Sequence, residues 1–337
     1  MEIGFFFWPY DIALVGAMAE AADGFGYDMV GIADTPGNAM DPWVATTLVA
    51  ARTRRARVAV CVSNLVTRHP AVSAASIASI ELLAPGRAVL GIGVGHSGTR
   101  NLGAPSLPAA ELADGVVFLK ELLRARPASY RGGTAHLPWV KRSSPVFLAA
   151  SHPRSLKAAG AHADGVFINY GLGPEDVKES EGIVAHAARA AGRKPDDVEI
   201  WQIACLDCGA DGEASRRKIG AILAFVSAYV MGGGDLARRG VPPEYRAALG
   251  ELRRRYSTRP GEADAALVAE LGLFDYLSRR LAICGTPEEC LAQVRTAQAA
   301  GVRRLMFSLS LAVDPVRTVQ LFGEHVLPAV RARRTSA

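Results

Sequence analysis

Residues 57–92, RVAVCVSNLVTRHPAVSAASIASIELLAPGRAVLGI, contain one complete strand–helix–strand unit. The β-branched run Arg57–Ser63 and the apolar run Ala88–Ile92 predict two strands, and the Ala-rich segment Ala71–Leu83 between them predicts a helix. A right-handed crossover through a helix brings the second strand back beside the first in the same direction. This segment therefore predicts part of a parallel sheet.

The same alternation of strand and helix continues along nearly the whole chain of 337 residues. Eight strands, each followed by a helix, predict an α/β protein built as a (β/α)₈ TIM barrel, and a doubly wound open sheet is the alternative. The predicted strands are Glu2–Phe7, Asp28–Ala33, Arg57–Ser63, Ala88–Ile92, Val146–Ala150, Gly165–Asn169, Val198–Leu206 and Arg304–Leu309.

Two segments depart from the minimal repeat. Tyr130–Leu137 contains Arg-Gly-Gly and predicts a small turn or hairpin before strand 5. Residues 232–281 form a predicted helical insertion after strand 7, which begins with Gly232–Gly234 and includes a charged helix around Arg253. This insertion is either a lid or flanking element, or a solvated structural decoration. We expect residues 1–334 to form one barrel domain that carries it.

Composition and charge exclude several classes of protein. Half of the residues are hydrophobic and 21% are charged, which predicts a sizeable core rather than disorder. The net charge of +5 is spread over dispersed arginines without an aromatic-interleaved basic stripe, so we expect no nucleic-acid partner. A small anionic ligand is a simpler use of the excess positive charge. The longest apolar run, Ile219–Met231, is too short to cross a bilayer, so we expect no membrane association.

Cysteine content and the amino terminus indicate where the protein works. Five cysteines without framework spacing are typical of a reducing cytoplasm. The first residues lack the basic and apolar regions of a signal peptide, so we expect a cytoplasmic protein. No group of His, Asp or Glu has metal-ligand spacing, and Cys205-x-x-Cys208 has no partner pair, so no metal site is predicted.

In a barrel of this kind, the site lies where the carboxyl ends of the strands meet. The predicted loops at those ends bring together aromatic residues, small residues, three histidines and one carboxylate. Such a set suits a flat aromatic cofactor beside a polar substrate. The segments concerned are Phe7–Tyr10, Asp34–Asn38, Cys61–Asn64, Arg68–Pro70, Gly93–Ser97, Ala149–His152 and Asn169–Gly171.

Six short motifs, in their order and spacing, resemble the luciferase-like superfamily over roughly residues 1 to 330. Within it the chain is most similar to the methylenetetrahydromethanopterin reductase branch, which uses the 5-deazaflavin coenzyme F-420, whereas other branches use FMN. The motifs are Gly31–Asp34, Asp41–Trp43, Val62–Asn64 with Thr67–Pro70, Gly86–Ala88 with Leu90–Gly95, Ala163–Val166 and Gly285–Glu289.

The resemblance implies a barrel with an insertion after strand 7 and a non-prolyl cis peptide bond, Cys61–Val62, on which the deazaflavin ring rests. It also implies that the loop Ala149–His152 holds the side chain and phosphate of the coenzyme, as a helix amino terminus can. Alternatively, Cys61 is only a small buried strand residue and Ser151 only a helix cap. The residues assigned to the cofactor are Asp34, Cys61, Val62, Ser63, Gly95, Ala149, Ala150, Ser151 and His152.

His96 and Asp34 are the candidate catalytic residues. An imidazole exchanges protons near neutral pH, and His96 follows the flexible Gly91–Gly95 segment at the predicted mouth. Asp34 ends strand 2, where the family commonly places an acidic residue. Alternatively, His96 is only a histidine in a surface loop, and Asp34 is only a helix-capping or turn aspartate. In the sugar-phosphate dehydrogenase branch of the family, an Asp-His pair follows strand 2 and a glutamate follows strand 4. Here Thr35 stands in place of that histidine and His96 in place of that glutamate, which argues against a sugar-phosphate substrate.

Four further residues are candidates for substrate binding. Phe6, Trp8 and Trp139 are predicted pocket walls, although aromatic residues at strand ends also serve as core. His69 precedes Pro70 and either shapes the pocket or only begins the next helix.

Together these observations predict an oxidoreductase that transfers a hydride between F-420 and a small organic substrate. An FMN-dependent luciferase-like monooxygenase is the first alternative, and a non-catalytic flavin-binding protein is the second. The resemblance further implies a homodimer.

Overall fold

A computed structural model describes residues 1–231, 236–259 and 261–332 of the chain. Within this part, eleven β-strands form two sheets. In chain order they are β1 (Glu2–Phe7), β2 (Met29–Ile32), β3 (Arg57–Asn64), β4 (Ala88–Gly93), β5 (Ala128–Tyr130), β6 (Gly133–Ala135), β7 (Val146–Ala150), β8 (Gly165–Ile168), β9 (Glu199–Cys208), β10 (Ala282–Gly285) and β11 (Arg304–Ser308).

Eight of these strands close into a parallel barrel, which confirms the predicted (β/α)₈ fold. The order around the barrel is β9, β11, β1, β2, β3, β4, β7, β8 and back to β9. Closure depends on β9, which pairs with β8 through residues 199–202 and with β11 through residues 202–205. The alternative, a doubly wound open sheet, is therefore wrong.

The helices surround this barrel. They are α1 (Ile12–Phe25), α2 (Pro42–Arg52), α3 (Pro70–Leu83), α4 (Ser97–Arg100), α5 (Ala109–Leu123), α6 (Pro153–His162), α7 (Pro174–Ala190), α8 (Gly212–Lys218), α9 (Gly220–Val230), α10 (Pro243–Arg255), α11 (Leu267–Glu270), α12 (Phe274–Leu281), α13 (Pro287–Ala299), α14 (Pro315–Leu321) and α15 (Leu327–Arg331), with a 3₁₀ turn at Pro195–Asp197 and a π turn at Phe322–Val326. In the described ranges, none of them combines the length and the apolar character that a bilayer span requires.

Two of the family motifs are helix starts. Asp41 Oδ1 accepts hydrogen bonds from the backbone N–H groups of Trp43 and Val44 at the beginning of α2. At α13, Thr286 and Glu289 exchange hydrogen bonds with each other's backbone N–H groups. A capping side chain satisfies N–H groups that the first helical turn leaves without partners. These motifs therefore set where the outer helices begin.

A compact apolar cluster fills the barrel interior, with Phe147, Phe167 and Trp201 as its largest members. Phe6 and Val62 are only partly buried and pack on this cluster. The barrel interior is therefore filled with side chains, and the open space lies at the mouth, where β1 and β3 end. A second and larger cluster fills the layer between the strands and the outer helices.

Two features of the sheets bear on the sequence predictions. The predicted turn or hairpin at Tyr130–Leu137 overlaps the antiparallel hairpin β5–β6, which begins two residues earlier at Ala128 and has Arg131 and Gly132 at positive φ in its turn. The short strand β10 was not predicted. It pairs in parallel with the carboxyl-terminal part of β9, residues 205–208, and has only four residues.

The helical excursion after β9 begins earlier than predicted. Helix α9 lies before residue 232, yet it shares an apolar cluster with α10, α11 and α12. The reason is the largely apolar character of Ile219–Met231, which packs against the later helices. The predicted start of the insertion at Gly232–Gly234 and the predicted domain end at Arg334 lie outside the described residues.

A buried ion pair ties this excursion to the barrel. Arg280 of α12 donates to Asp176 of α7 at 2.6 Å, and the two side chains are only 9% and 19% exposed. The Arg280 guanidinium also donates to the Tyr276 hydroxyl and to the Arg239 carbonyl oxygen. A guanidinium cannot lose its proton inside a protein, so this charge depends on its carboxylate partner.

We expect Asp176→Asn to lower the free energy of unfolding by about 3–5 kcal/mol, because it leaves the Arg280 charge buried without a counter-ion. Urea denaturation measures the change. Glu213→Gln is the matched control, because Glu213 pairs with Arg217 where both side chains are mostly exposed, and no measurable loss is expected. Equal effects from the two variants would contradict the assignment.

Candidate functional site

A cleft of about 870 Å³, counting the space open to solvent, lies at the carboxyl ends of the barrel strands. Most of its lining comes from the strand ends and the loops that follow them, and α9 contributes the rest. The cleft is lined by Phe6, Trp8, Ala33, Asp34, Thr35, Cys61, Val62, Ser63, Asn64, Gly93, Val94, Gly95, His96, Ser97, Gly98, Ala149, Ala150, Asn169, Ile203, Phe225, Val226, Tyr229, Ser308 and Ser310.

Most of the predicted site residues meet in this cleft, although they come from five different strands. Parallel strands that close into a barrel bring their carboxyl ends into one ring, which explains the convergence. The predicted residues that line it are Phe6, Trp8, Asp34, Cys61, Val62, Ser63, Gly95, His96, Ala149 and Ala150.

The floor of the cleft is the end of β3. The Cys61–Val62 peptide bond is cis, as the resemblance implied, and the register between β3 and β4 shifts between Val60 and Ser63. Cys61 is buried, and burial raises the pKa of its thiol far above the ordinary value. The thiol therefore stays protonated, and its contribution to the floor is its shape.

Asp34 and Ser63 form a hydrogen-bonded pair on the wall beside this floor. The Ser63 hydroxyl donates to Asp34 Oδ2 at 2.5 Å. Burial raises the pKa of Asp34, while the hydrogen bond from Ser63 and the charge of Arg68 oppose that rise. The carboxyl group therefore holds its proton to a higher pH than an exposed aspartate does, which suits proton exchange.

His96 lies against the aromatic side of the cleft. Its ring centroid is 4.6 Å from that of Tyr229 and 5.9 Å from that of Phe225. Burial, together with the charges of Arg100 and Arg253, lowers the pKa of His96 to about 4. The imidazole is therefore neutral at neutral pH.

The turn before His96 requires a glycine. Gly95 has a φ of +81°, and a Cβ atom at this position would overlap the side chain of Thr99. An L-residue with a side chain is strained at such a φ. Gly95 therefore contributes to the cleft through the backbone conformation that places His96.

Ser151 and His152 lie next to the cleft rather than among its lining residues, at the start of α6. Arg239 donates to the Ser151 carbonyl oxygen, and its Nη1 lies 3.1 Å from His152 Nδ1. Its guanidinium also lies 4.9 Å from the centre of the Tyr170 ring. A buried cation therefore lies directly behind the loop that was assigned to the cofactor phosphate.

Two predicted substrate residues are not brought to the cleft. His69 caps α3, with its Nδ1 3.2 Å from the Ala71 backbone nitrogen, and its ring packs against Phe118 and Tyr130. Trp139 is 38% exposed and lies between β6 and β7, on the segment that leads into the amino end of a barrel strand. The amino ends of the strands lie opposite the cleft, so Trp139 is remote from it, and neither His69 nor Trp139 is among the residues that line it.

Sequence reasoning missed the wall that α9 provides. Phe225, Val226 and Tyr229 line the cleft, and the Phe225 ring packs against Trp8 at 5.8 Å. The run Ile219–Met231 was considered only as a possible membrane span. Two aromatic residues four positions apart share one helix face, and this spacing could have identified the wall.

The lining of the cleft fits a flat, largely apolar molecule with polar edges. Aromatic and aliphatic side chains form its walls, and several buried polar atoms have no hydrogen-bond partner among the described residues. Buried polar groups ordinarily have partners, so these atoms indicate where a ligand binds. They are Thr35 Oγ1, His96 Nδ1, Asn169 Oδ1, Ser308 Oγ and Ser310 Oγ. Within residues 1–231, 236–259 and 261–332, no three His, Cys, Asp or Glu residues are grouped to hold a metal.

Comparison with known proteins places this cleft in a family context. The family model for luciferase-like monooxygenases matches residues 10–304. The chain is 26% identical to 5,10-methylenetetrahydromethanopterin reductase of Methanolobus tindarius, over 97% of this chain and 100% of the relative.

Solved structures share the fold at lower identity. Coenzyme F-420-dependent tetrahydromethanopterin reductase from Methanopyrus kandleri superposes with a TM-score of 0.79 at 22% identity, covering 98% of this chain and 99% of the other. An F-420-dependent secondary alcohol dehydrogenase in complex with an F-420–acetone adduct gives a TM-score of 0.73 at 19% identity, with the same coverage. Both similarities support the barrel fold.

We expect Ser63→Ala to raise the pKa of Asp34, because the variant removes the hydrogen bond that stabilises the carboxylate. Carbon NMR of aspartate-labelled protein measures this pKa, and Asp34→Asn identifies the signal. Ser310→Ala is the control, since Ser310 also lines the cleft and has no hydrogen-bond partner in the described part of the chain. A lowered or unchanged pKa in Ser63→Ala would contradict the pairing.

Proposed function

Because the chain belongs to the luciferase-like monooxygenase family, we propose that it is an oxidoreductase that transfers a hydride between coenzyme F-420 and a small organic substrate. The choice of cofactor rests on the similarity, over 97% of the chain, to a methylenetetrahydromethanopterin reductase. The solved tetrahydromethanopterin reductase with the same fold is F-420-dependent. The apolar cleft with unpartnered polar atoms is consistent with such a ring.

The residues that would hold the cofactor are those of the floor and the adjoining loop. Cys61 and Val62 would support the ring, and the small side chains of Ala149 and Ala150 leave room beside it. The amino terminus of α6 at Ser151 and His152, with the Arg239 cation behind it, is suited to an anionic side chain. When bound, F-420 supplies or accepts the hydride, and the protein provides position and proton control.

Asp34 and His96 are the residues that hold or move protons beside the reacting atoms. The raised pKa of Asp34 keeps a proton available closer to neutral pH than an exposed carboxyl does. The lowered pKa of His96 keeps its ring uncharged, so that it acts through a hydrogen bond. The two groups lie in one cleft, and burial there disfavours the charged form of each.

Phe6, Trp8 and the aromatic face of α9 would contact the substrate and exclude water from it. Trp8 packs against Phe225, so the barrel mouth and α9 form one continuous apolar wall. A low-polarity wall strengthens the hydrogen bonds that Asp34 and His96 make inside the cleft.

A second candidate function is an FMN-dependent monooxygenase, which the name of the matching family favours. Reduced FMN reacts with oxygen, whereas a 5-deazaflavin has carbon at the reacting position and does not. A non-catalytic flavin-binding protein is the third candidate. Binding and oxygen consumption distinguish the three.

We further propose that residues 1–334 form one domain and that the protein is a cytoplasmic homodimer. All five cysteines are free, which is consistent with a reducing compartment. Exposed apolar side chains on α3 and α5 offer a surface for a second copy: Val72, Leu82, Leu83 and Val117.

Fluorescence titration tests the choice of cofactor. We expect F-420 to bind with higher affinity than FMN, and reduced F-420 to be oxidised by substrate without consumption of oxygen. Binding of FMN alone, with oxygen uptake that depends on substrate, would establish the monooxygenase instead. Binding of a flavin or deazaflavin without turnover by any acceptor would establish the non-catalytic alternative.

We expect His96→Ala and Asp34→Asn each to lower kcat by about 10²-fold or more, because each removes a hydrogen-bonding or proton-exchanging group beside the reacting atoms. Steady-state kinetics with saturating F-420 measures the effect. His136→Ala is the control, since His136 is exposed, directly follows β6 and is not among the residues that line the cleft. Wild-type rates in both cleft variants would refute the assigned roles.

A further inference from the structure

Three side chains behind the cleft form a hydrogen-bonded row that ends at His96. Arg100 Nη1 donates to the Tyr256 hydroxyl oxygen, and its guanidinium lies 5.4 Å from the centre of the Tyr256 ring. The Tyr256 hydroxyl oxygen lies 3.3 Å from His96 Nε2. Arg100 ends α4, whereas Tyr256 follows α10, so the row joins a strand-4 loop to the helical excursion.

The direction of each hydrogen bond follows from the donors available. A guanidinium can only donate, so the Tyr256 oxygen is an acceptor toward Arg100. Among the described residues, the Tyr256 hydroxyl has no hydrogen-bond partner besides Arg100 and His96. Of these two partners only His96 can accept, so we assign the single proton of the hydroxyl to the contact with His96 Nε2.

A neutral histidine that accepts a hydrogen bond at Nε2 carries its proton on Nδ1. His96 Nδ1 is buried and has no partner in the described ranges, and His96 lines the cleft. An N–H group in this position has a full hydrogen bond left to offer to a bound molecule.

We propose that Tyr256 is a positioning residue, which with Arg100 behind it fixes His96 as the Nδ1–H tautomer and so provides a neutral N–H donor for an acceptor atom of the substrate. The imidazole is then a hydrogen-bond donor of fixed orientation and not an imidazolium acid. This arrangement suits a substrate that presents an acceptor oxygen or nitrogen atom to His96.

The charged and titratable groups around His96 agree with this tautomer. Arg100 and Arg253 are the cations that act on the ring, and both disfavour a second proton on it. Tyr229 and Phe225 of α9 cover its other side with aromatic rings and offer no carboxylate. Nothing on these elements favours the charged form, so the neutral tautomer persists through the physiological pH range.

The catalytic consequence rests on the proposed function. When a hydride adds to the carbon of a C=O or C=N group, a C–H bond forms and the π electron pair moves onto the oxygen or nitrogen. The Nδ1–H group of His96 stabilises the charge that develops on that atom. The proton that completes the reduction comes from a separate acid, and Asp34 is the carboxyl group that lines the same cleft.

The tautomer is measured directly by long-range proton–nitrogen NMR on protein labelled in its histidine rings. His96→Gln identifies the signals of His96 among the seven histidines. We expect a protonated, pyrrole-type Nδ1 and an unprotonated, pyridine-type Nε2 at neutral pH. An Nε2–H tautomer or an imidazolium in the wild-type protein would overturn the proposal.

Tyr256→Phe keeps the ring and removes the hydroxyl group, so His96 should lose its preference for the Nδ1–H tautomer. We expect kcat to fall about tenfold to a hundredfold, with little change in the affinity for F-420. Tyr245→Phe is the matched control, because Tyr245 lies on the same excursion and stacks on Tyr276 away from His96. A Tyr256→Phe protein that retains the wild-type tautomer would also overturn the proposal.

Two arginine variants separate the hydrogen bond from simple charge. Arg253→Met should raise the pKa of His96 without changing its tautomer, because Arg253 acts on the ring only through its charge. Arg100→Met should raise the pKa and also weaken the tautomer preference, because it frees the Tyr256 hydroxyl to turn. Identical effects from the two variants would contradict the role of the Arg100–Tyr256 hydrogen bond in fixing the tautomer of His96.

The NMR measurement needs neither cofactor nor turnover, so it separates this proposal from the proposed function. If the protein fails to bind F-420 and His96 is nevertheless the Nδ1–H tautomer, the proposed function fails and the role of Tyr256 stands. If F-420 binds and turns over while His96 is the Nε2–H tautomer, the role of Tyr256 fails alone.

Discussion

The pairing of β9 with β8 on one side and β11 on the other is the constraint on which the rest of the structure depends. It converts a row of parallel strands into a closed barrel and thereby brings the carboxyl ends of distant strands into one ring. Asp34 and His96, separated by 62 positions in sequence, line the same cleft only because of this closure. Their chemistry follows from the low polarity that the packed barrel and α9 provide.

That low polarity shifts the pKa values of Asp34 and His96 in opposite directions, and the cause is the same for both. Burial penalises a charged side chain, so it raises the pKa of Asp34 and lowers the pKa of His96. Burial thus shifts both groups toward their neutral forms, which have a hydrogen to donate or a lone pair to accept one. Groups shifted in this way suit a reaction in which charge develops on the bound molecule as the reaction proceeds.

The errors of the sequence predictions have a common origin. The hairpin β5–β6 and all eight barrel strands were predicted, because turn residues and apolar periodicity are local signals. His69 and Trp139 were assigned to the cleft on residue type alone, whereas their places depend on how α3 and the segment before β7 pack. The α9 wall was missed because a largely apolar run of 13 residues looks the same whether its neighbours are strands, helices or a ligand.

The amino-acid sequence by itself determined the alternation of strands and helices, the helix starts at Asp41 and Thr286, and the set of residues at the strand ends. These follow from local periodicity and from capping side chains, which act over a few residues. Only the tertiary structure decided that α9 covers the mouth, that Arg239 lies behind Ser151, and that Tyr256 reaches His96. Such contacts join segments far apart in the chain, and their geometry is set by packing and barrel closure, which no local pattern encodes.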